Sequence, residues 1–160
     1  MKIDKKKMTI RLRILVFLFL FSSTAVIKAQ APKPATWDFE VKKTLTNEYD
    51  LIFKLNIRPG THVYSQFIGS DGPIPTSFHF DKNSNFTLVD SVKEITKPIK
   101  VHDKMFDMDL LYFEDSAIFV QHIKLINLVS QVSGGLEFMA CDGTKCYPPA
   151  KLNFAFNIPK

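Results

Sequence analysis

Cys141 and Cys146 are the only cysteines in a chain of 160 residues, and four residues separate them. A thiol pair this close has three chemistries open to it: a zinc half-site, a passive disulfide, or reversible thiol–disulfide exchange. The run is Phe138-Met139-Ala140-Cys141-Asp142-Gly143-Thr144-Lys145-Cys146-Tyr147-Pro148-Pro149. Asp142-Gly143 favours a tight reversal, so Cys146 begins a returning segment and the two sulfurs can face each other across a hairpin mouth. That arrangement permits a disulfide without a large backbone movement. A ring of about six residues stabilises the folded state by roughly 2 kcal/mol, and it closes a short loop at one end where a structural staple would close a long one. Pro148 and Pro149 stiffen the chain just past Cys146, as a wall presenting a sulfur to a partner would need. Zinc would require two further ligands, and His62, His79, His102 and His122 show no ligand spacing around the pair. On the residues alone, a redox pair and a passive hairpin disulfide both remain open.

The elements that must hold the pair read as strands. Apolar residues alternate with polar ones at Trp37, Phe39 and Val41, at Leu51, Phe53, Leu55 and Ile57, at Leu136, Phe138 and Ala140, and at Leu152, Phe154, Phe156 and Ile158. Weaker strands are expected over His62–Gln66, Thr76–Phe80, Phe86–Asp90, Leu110–Phe113 and Ala117–Leu125. Turns are expected at Thr46-Asn47-Glu48, Arg58-Pro59-Gly60, Asp81–Asn85, Ser133-Gly134-Gly135 and Cys141-Asp142-Gly143. No segment carries a sustained helical stripe. Many short strands at this spacing predict an all-β fold, an immunoglobulin-like antiparallel β-sandwich, with Phe, fifteen in the whole chain, as the main filling of its core.

The first 29 residues have the pattern of an export signal. Lys2, Lys5, Lys6, Lys7, Arg11 and Arg13 precede an apolar run from Ile14 towards Ile27, and Ala29 supplies a small residue at the expected cleavage point. Residues 30–36 read as an extended leader and 37–160 as the folded domain. Residues 1–29 carry seven Lys/Arg and one Asp, a net +6, so the remainder of a +5 chain is 5 − 6 = −1. The basic balance therefore belongs to the signal, and nothing calls for nucleic acid or a membrane surface. No later apolar stretch is long enough to span a bilayer. An exported compartment permits disulfides.

Residues in four places carry a family resemblance. The run C-D-G-T-K-C-Y-P-P resembles the active-site hairpin of the N-terminal periplasmic domain of the bacterial thiol:disulfide interchange protein DsbD. Pro59-Gly60-Thr61-His62-Val63-Tyr64-Ser65-Gln66 resembles that family's strand of aromatic neighbours, and Gly72-Pro73-Ile74-Pro75-Thr76 the loop after it. Val101–Asp107 resembles its cap loop. The resemblance spans about Trp37 to Pro159. It departs in having four residues between the cysteines where the best-known member has five, and in having His62 where Tyr is usual. The family's multi-span electron-carrying domain and thioredoxin-like domain have no counterpart in this chain, so the electron donor does not transfer.

The resemblance implies a periplasmic module that passes two electrons through a Cys141/Cys146 dithiol–disulfide, with Cys146 forming the mixed disulfide and Cys141 resolving it. It implies thioredoxin-like exported proteins and a membrane electron donor as partners, no cofactor and no metal, and a monomeric state. Phe106 matches the cap residue that covers the disulfide, and its neighbours Asp103, Lys104, Asp107 and Asp109 indicate an exposed loop. Tyr64, Asp103 and Tyr147 are the expected neighbours of the pair, while His62 and His102 are expected to be solvated surface residues. Two other readings stay alongside: a non-redox binding or adaptor sandwich with a structural clip, and a subunit of a membrane thiol reductase system.

Overall fold

The computed structural model describes residues 33–69, 71–128 and 131–159. The expected signal, and the first part of the expected leader, lie outside them. Eleven strands follow in order: β1 (Ala35–Leu45), β2 (Glu48–Ile57), β3 (Thr61–Tyr64), β4 (Ser77–Phe80), β5 (Phe86–Glu94), β6 (Ile99–Asp103), β7 (Met108–Phe113), β8 (Ser116–Leu125), β9 (Gln131–Phe138), β10 (Ala140–Asp142) and β11 (Ala150–Asn157). They form three antiparallel sheets in the orders β1-β2-β8-β5, β10-β3-β7-β6 and β11-β9-β4, the immunoglobulin-like β-sandwich that strand spacing predicts. Among the described residues no helix is long and apolar enough to cross a membrane.

The period-two pattern builds the core directly. Leu51, Phe53, Leu55 and Ile57 of β2 face inward beside Phe119 and Ile123 of β8 and Phe154 and Phe156 of β11, all buried. Phe17, Phe19 and Phe21 lie outside the described residues. Of the remaining twelve Phe, nine fill or pack on the main core. Phe53 is fully buried and meets the rings of Phe78, Phe154 and Phe156 at 4.7–5.0 Å between centroids. Burying such a ring contributes roughly 2–3 kcal/mol before the entropy of ordering it is set against it.

Several expectations need correcting. Ser133-Gly134-Gly135 is no turn but the middle of β9, paired with β4 on one side and β11 on the other. The glycines serve close approach. A Cβ at Gly134 would overlap the His79 carbonyl oxygen and lie 2.6 Å from Phe154 Cζ, so β4 can dock there only against a bare backbone. β1 begins at Ala35, making the last two residues of the expected leader strand. Val101–Asp103, read as loop, belong to β6, which pairs with β7 through Asp103↔Met108. The cap is the tip of a hairpin, with only Lys104–Asp107 outside the ladder. Turns at Asn47 (φ 63°) and Gly60 (φ 77°) fall where their residue types indicate.

One sheet positions the chemistry. In β10-β3-β7-β6 alternate residues point to opposite faces. Ala140, Val63 and Phe113 enter the main core. Their neighbours Cys141, Tyr64 and Tyr112 enter a second, smaller cluster with Leu110, Met108, Phe106, Met139 and Cys146.

Candidate functional site: a disulfide under a hairpin cap

The pair is built by a turn that satisfies itself. Asp142 Oδ1 accepts hydrogen bonds from the Thr144 hydroxyl (2.7 Å), the Thr144 amide (2.9 Å) and the Lys145 amide (3.0 Å). The Asp142 amide donates to the Lys145 carbonyl and the Tyr147 amide to the Ala140 carbonyl, both at 2.9 Å. Cys141 and Cys146 therefore stand opposite each other, Cα atoms 4.0 Å apart, joined by a disulfide. The Thr144 hydroxyl foremost, then the two amides and the Tyr147 hydroxyl, hold the Asp142 carboxyl well below the usual carboxylate range. A fixed negative charge thus sits beside the pair at every working pH.

The two sulfurs are not equivalent. Cys141 is fully buried in the second cluster, while Cys146 is only half-buried at its rim. Exchange requires in-line approach to a sulfur, and of the two residues only Cys146 keeps exposed surface.

Behind the disulfide, β3 supplies His62 and Tyr64. His62 lies directly across the ladder from Cys141. The Tyr64 hydroxyl donates to Asp103 Oδ2 at 3.0 Å and lies 3.1 Å from His62 Nε2. Tyr64 has a single proton to give, so the His62 tautomer protonated at Nε2 satisfies both contacts. Burial, then the hydrogen bond to Asp103, pushes the Tyr64 hydroxyl far above its ordinary value, so it stays a neutral donor. Burial pulls His62 below its ordinary value, against the opposing pull of Asp103, Glu114 and Asp142. Its ring also stacks on Tyr112 at 4.5 Å. His62 is therefore a site residue and not the solvated surface histidine expected. His102 is exposed and lies between Asp107 (3.2 Å) and Asp109 (3.4 Å) on the cap hairpin. His62, Tyr64, His102, Asp103 and Tyr112 line a cavity of about 230 Å³ whose wall includes Cys141.

Asp103 joins the wall to the cap. Its second oxygen accepts the Met105 amide (2.8 Å) and the Phe106 amide (3.3 Å). One carboxylate thus ties Tyr64, beside the disulfide, to the hairpin tip above it. Phe106 is half-buried in the cluster that holds both cysteines, edge-on to Tyr64 with centroids 6.1 Å apart. Met105, which sequence reasoning passed over, makes the direct contact: its Sδ lies 3.4 Å from Cys146 Sγ. Tyr147 turns the other way. It packs on the main core, donates to Asp142 Oδ2 (3.1 Å) and accepts from Arg58 (2.6 Å), bracing the turn from outside. Tyr64, Asp103, Phe106 and the cysteines come together as expected, and His62, Tyr112 and Met105 join them. Tyr112 carried the right parity with Leu110, but only the β3–β7 register reveals that it meets His62. Among the described residues no group of His, Cys, Asp or Glu is arranged to hold a metal ion.

A β-sandwich that carries on one sheet a disulfide between a buried and a half-exposed cysteine suits a thiol–disulfide interchange module, and the family of the chain is one of these. The chain belongs to the family described as thiol:disulfide interchange protein DsbD, N-terminal, whose model matches residues 24–157. Among solved structures, the chain is similar to the DsbD N-terminal domain of Neisseria meningitidis in its reduced form, with 14% identity, 86% of this chain and 96% of that one covered, and a TM-score of 0.58. It is also similar to the N-terminal periplasmic domain of ScsB from Proteus mirabilis, with 12% identity, 79% of this chain covered and a TM-score of 0.60. The chain spans 47% of that ScsB domain. Likeness at these identities concerns the fold alone. Among curated proteins no relative is found.

Proposed function

We propose that this chain is an exported, periplasmic relay that passes two electrons through Cys141 and Cys146 to thioredoxin-like partner proteins, supplied in turn by a membrane electron donor. The observation that carries the reading is the inequality of the two cysteines: Cys141 has no exposed surface, while Cys146 is half-exposed at the rim beneath a hairpin tip. The periplasmic setting rests on the basic-apolar segment at 1–29 and on the family. In the forward direction the Cys146 thiolate attacks one sulfur of the partner's disulfide, forming a mixed disulfide and releasing the partner's other sulfur as thiolate. The Cys141 thiolate then attacks Cys146 Sγ, closing Cys141–Cys146 and releasing the second partner thiolate. The partner gains two electrons and the module loses two. Phe106 acts as lid, an apolar ring that keeps water and small thiols from the pair until a fitting partner displaces it.

Trapping in cells tests this. Cys141→Ser leaves Cys146 able to form a mixed disulfide with nothing to resolve it, so an adduct with an exported protein accumulates. Cys146→Ser, with its remaining thiol buried, accumulates none. Absence of adducts from both variants would return the chain to a binding module with a structural clip.

A further inference from the structure

Met105 combines two properties that the exchange reading leaves unused. It stands at the tip of the β6–β7 hairpin with 47% of its surface exposed, and its sulfur lies 3.4 Å from Cys146 Sγ. Cys146 in the disulfide has no S–H to donate, so this is a dispersion contact between two polarisable sulfurs, which depends on the thioether staying apolar. The Asp103 carboxylate fixes the Met105 amide at 2.8 Å, so the backbone cannot drift to accommodate a changed side chain. Met108 and Met139 belong to the same cluster but are half-buried, which leaves Met105 the most accessible thioether around the site. A side chain that covers a reactive sulfur while remaining open to solvent is a site for oxidation.

We propose that Met105 is an oxidation-responsive cover on Cys146, its conversion to the sulfoxide by a peroxide uncovering the disulfide to thiols. Hydrogen peroxide transfers one oxygen atom to Sδ: the O–O bond breaks, an S–O bond forms, the thioether sulfur gives up two electrons and water leaves. The sulfoxide is polar and chiral, so it favours water over the apolar rim of the cluster, and the Met105 side chain swings off Cys146 while Asp103 keeps the backbone of the tip in place. Methionine sulfoxide reductase chemistry reverses the change: a dithiol gives up two electrons and two protons, becomes a disulfide, and the sulfoxide oxygen leaves as water. This inference rests on the reading that Cys146 is the sulfur that thiols and partners reach.

The test uses the disulfide form of the protein, in which peroxide finds no free thiol, and follows reduction of Cys141–Cys146 by glutathione. Peptide mass mapping confirms oxygen uptake at Met105. About half of a methionine's burial is at stake, so oxidation is expected to speed reduction by about fivefold. Met105→Ala shows the fast rate without peroxide. Met105→Leu, apolar and of similar volume, keeps the slow rate before and after peroxide. Treatment with both epimer-specific sulfoxide reductases and a dithiol, followed by reoxidation of the cysteine pair, returns the oxidised wild type to the slow rate. An unchanged rate after mapped oxidation at Met105, or an equal peroxide response in Met105→Leu, overturns the proposal. Glutathione reads the disulfide without any partner protein, so failed trapping with a positive Met105 result would count against the relay alone, and the converse against the cover alone.

Discussion

The two faces of sheet β10-β3-β7-β6 are made by adjacent residues and have opposite character. On one, Ala140, Val63 and Phe113 join a continuous apolar core. On the other, their neighbours Cys141, Tyr64 and Tyr112 meet His62, Asp103 and the tip of the β6–β7 hairpin. The inner face joins a large ring-filled core, with Phe113 against Phe119 at 5.4 Å between centroids, while the outer face has only Tyr64, Leu110 and Cys141 fully buried, with half-buried side chains around them and one carboxylate tying the hairpin tip to Tyr64. Local stability follows the density of buried contacts, so the outer face is expected to open at a lower cost than the inner one.

Substitutions on each face should separate stability from reactivity. The largest effect is expected from Phe53→Ala on the inner side of the sandwich, which removes a fully buried ring and costs about 3–5 kcal/mol in urea unfolding. Conducted under conditions where the variant remains folded, glutathione reduction of Cys141–Cys146 should match the wild type. A changed rate would mean that the faces are coupled. Tyr64→Phe comes next. It leaves Asp103 and His62 without their shared hydroxyl, costing about 1–2 kcal/mol, and it frees the hairpin tip, so reduction by small thiols should quicken as stability falls. Phe106→Ala should change stability less than either and still speed reduction by small thiols. An unaltered rate there would remove the lid role.

The smallest effect concerns a third surface, remote from both. His122 on β8 hydrogen-bonds Asp50 at 2.7 Å and Glu48 at 3.4 Å on β2. Asp50 chiefly, with Glu48, raises its pKa above the ordinary value. A raised folded value means that this pairing stabilises the fold fully below about pH 6.5 and loses its effect as pH rises through the folded value. The stability difference between wild type and His122→Asn should therefore be larger at about pH 5 than at about pH 9, with no change in glutathione reduction when the two proteins are compared at the same pH.

Much of the fold was legible because burial imposes a period of two on a half-buried strand, and runs such as Leu51-Ile52-Phe53-Lys54-Leu55 display it openly. Gly134-Gly135 misled for a physical reason. A glycine that frees a turn and one that admits a neighbouring backbone look identical in sequence, and only the position of β4 tells them apart. The cap strand Ile99–Asp103 was hidden for a related reason. Its partner β7 covers just one edge, so its outward residues stay polar and read as loop.

For the cysteine pair, the local sequence determined the turn, because Asp142, Thr144 and Lys145 complete its hydrogen bonds within four residues. Only the tertiary structure decided which sulfur is open, that His62 stands opposite Cys141, that Asp103 binds both Tyr64 and the hairpin tip, and that Met105 rests on Cys146. Cys141 with His62, Asp103 with Tyr64 and Met105 with Cys146 each join segments distant in the chain, and they meet because the strands slide into the register that buries their apolar faces together, which the cysteine segment by itself does not specify.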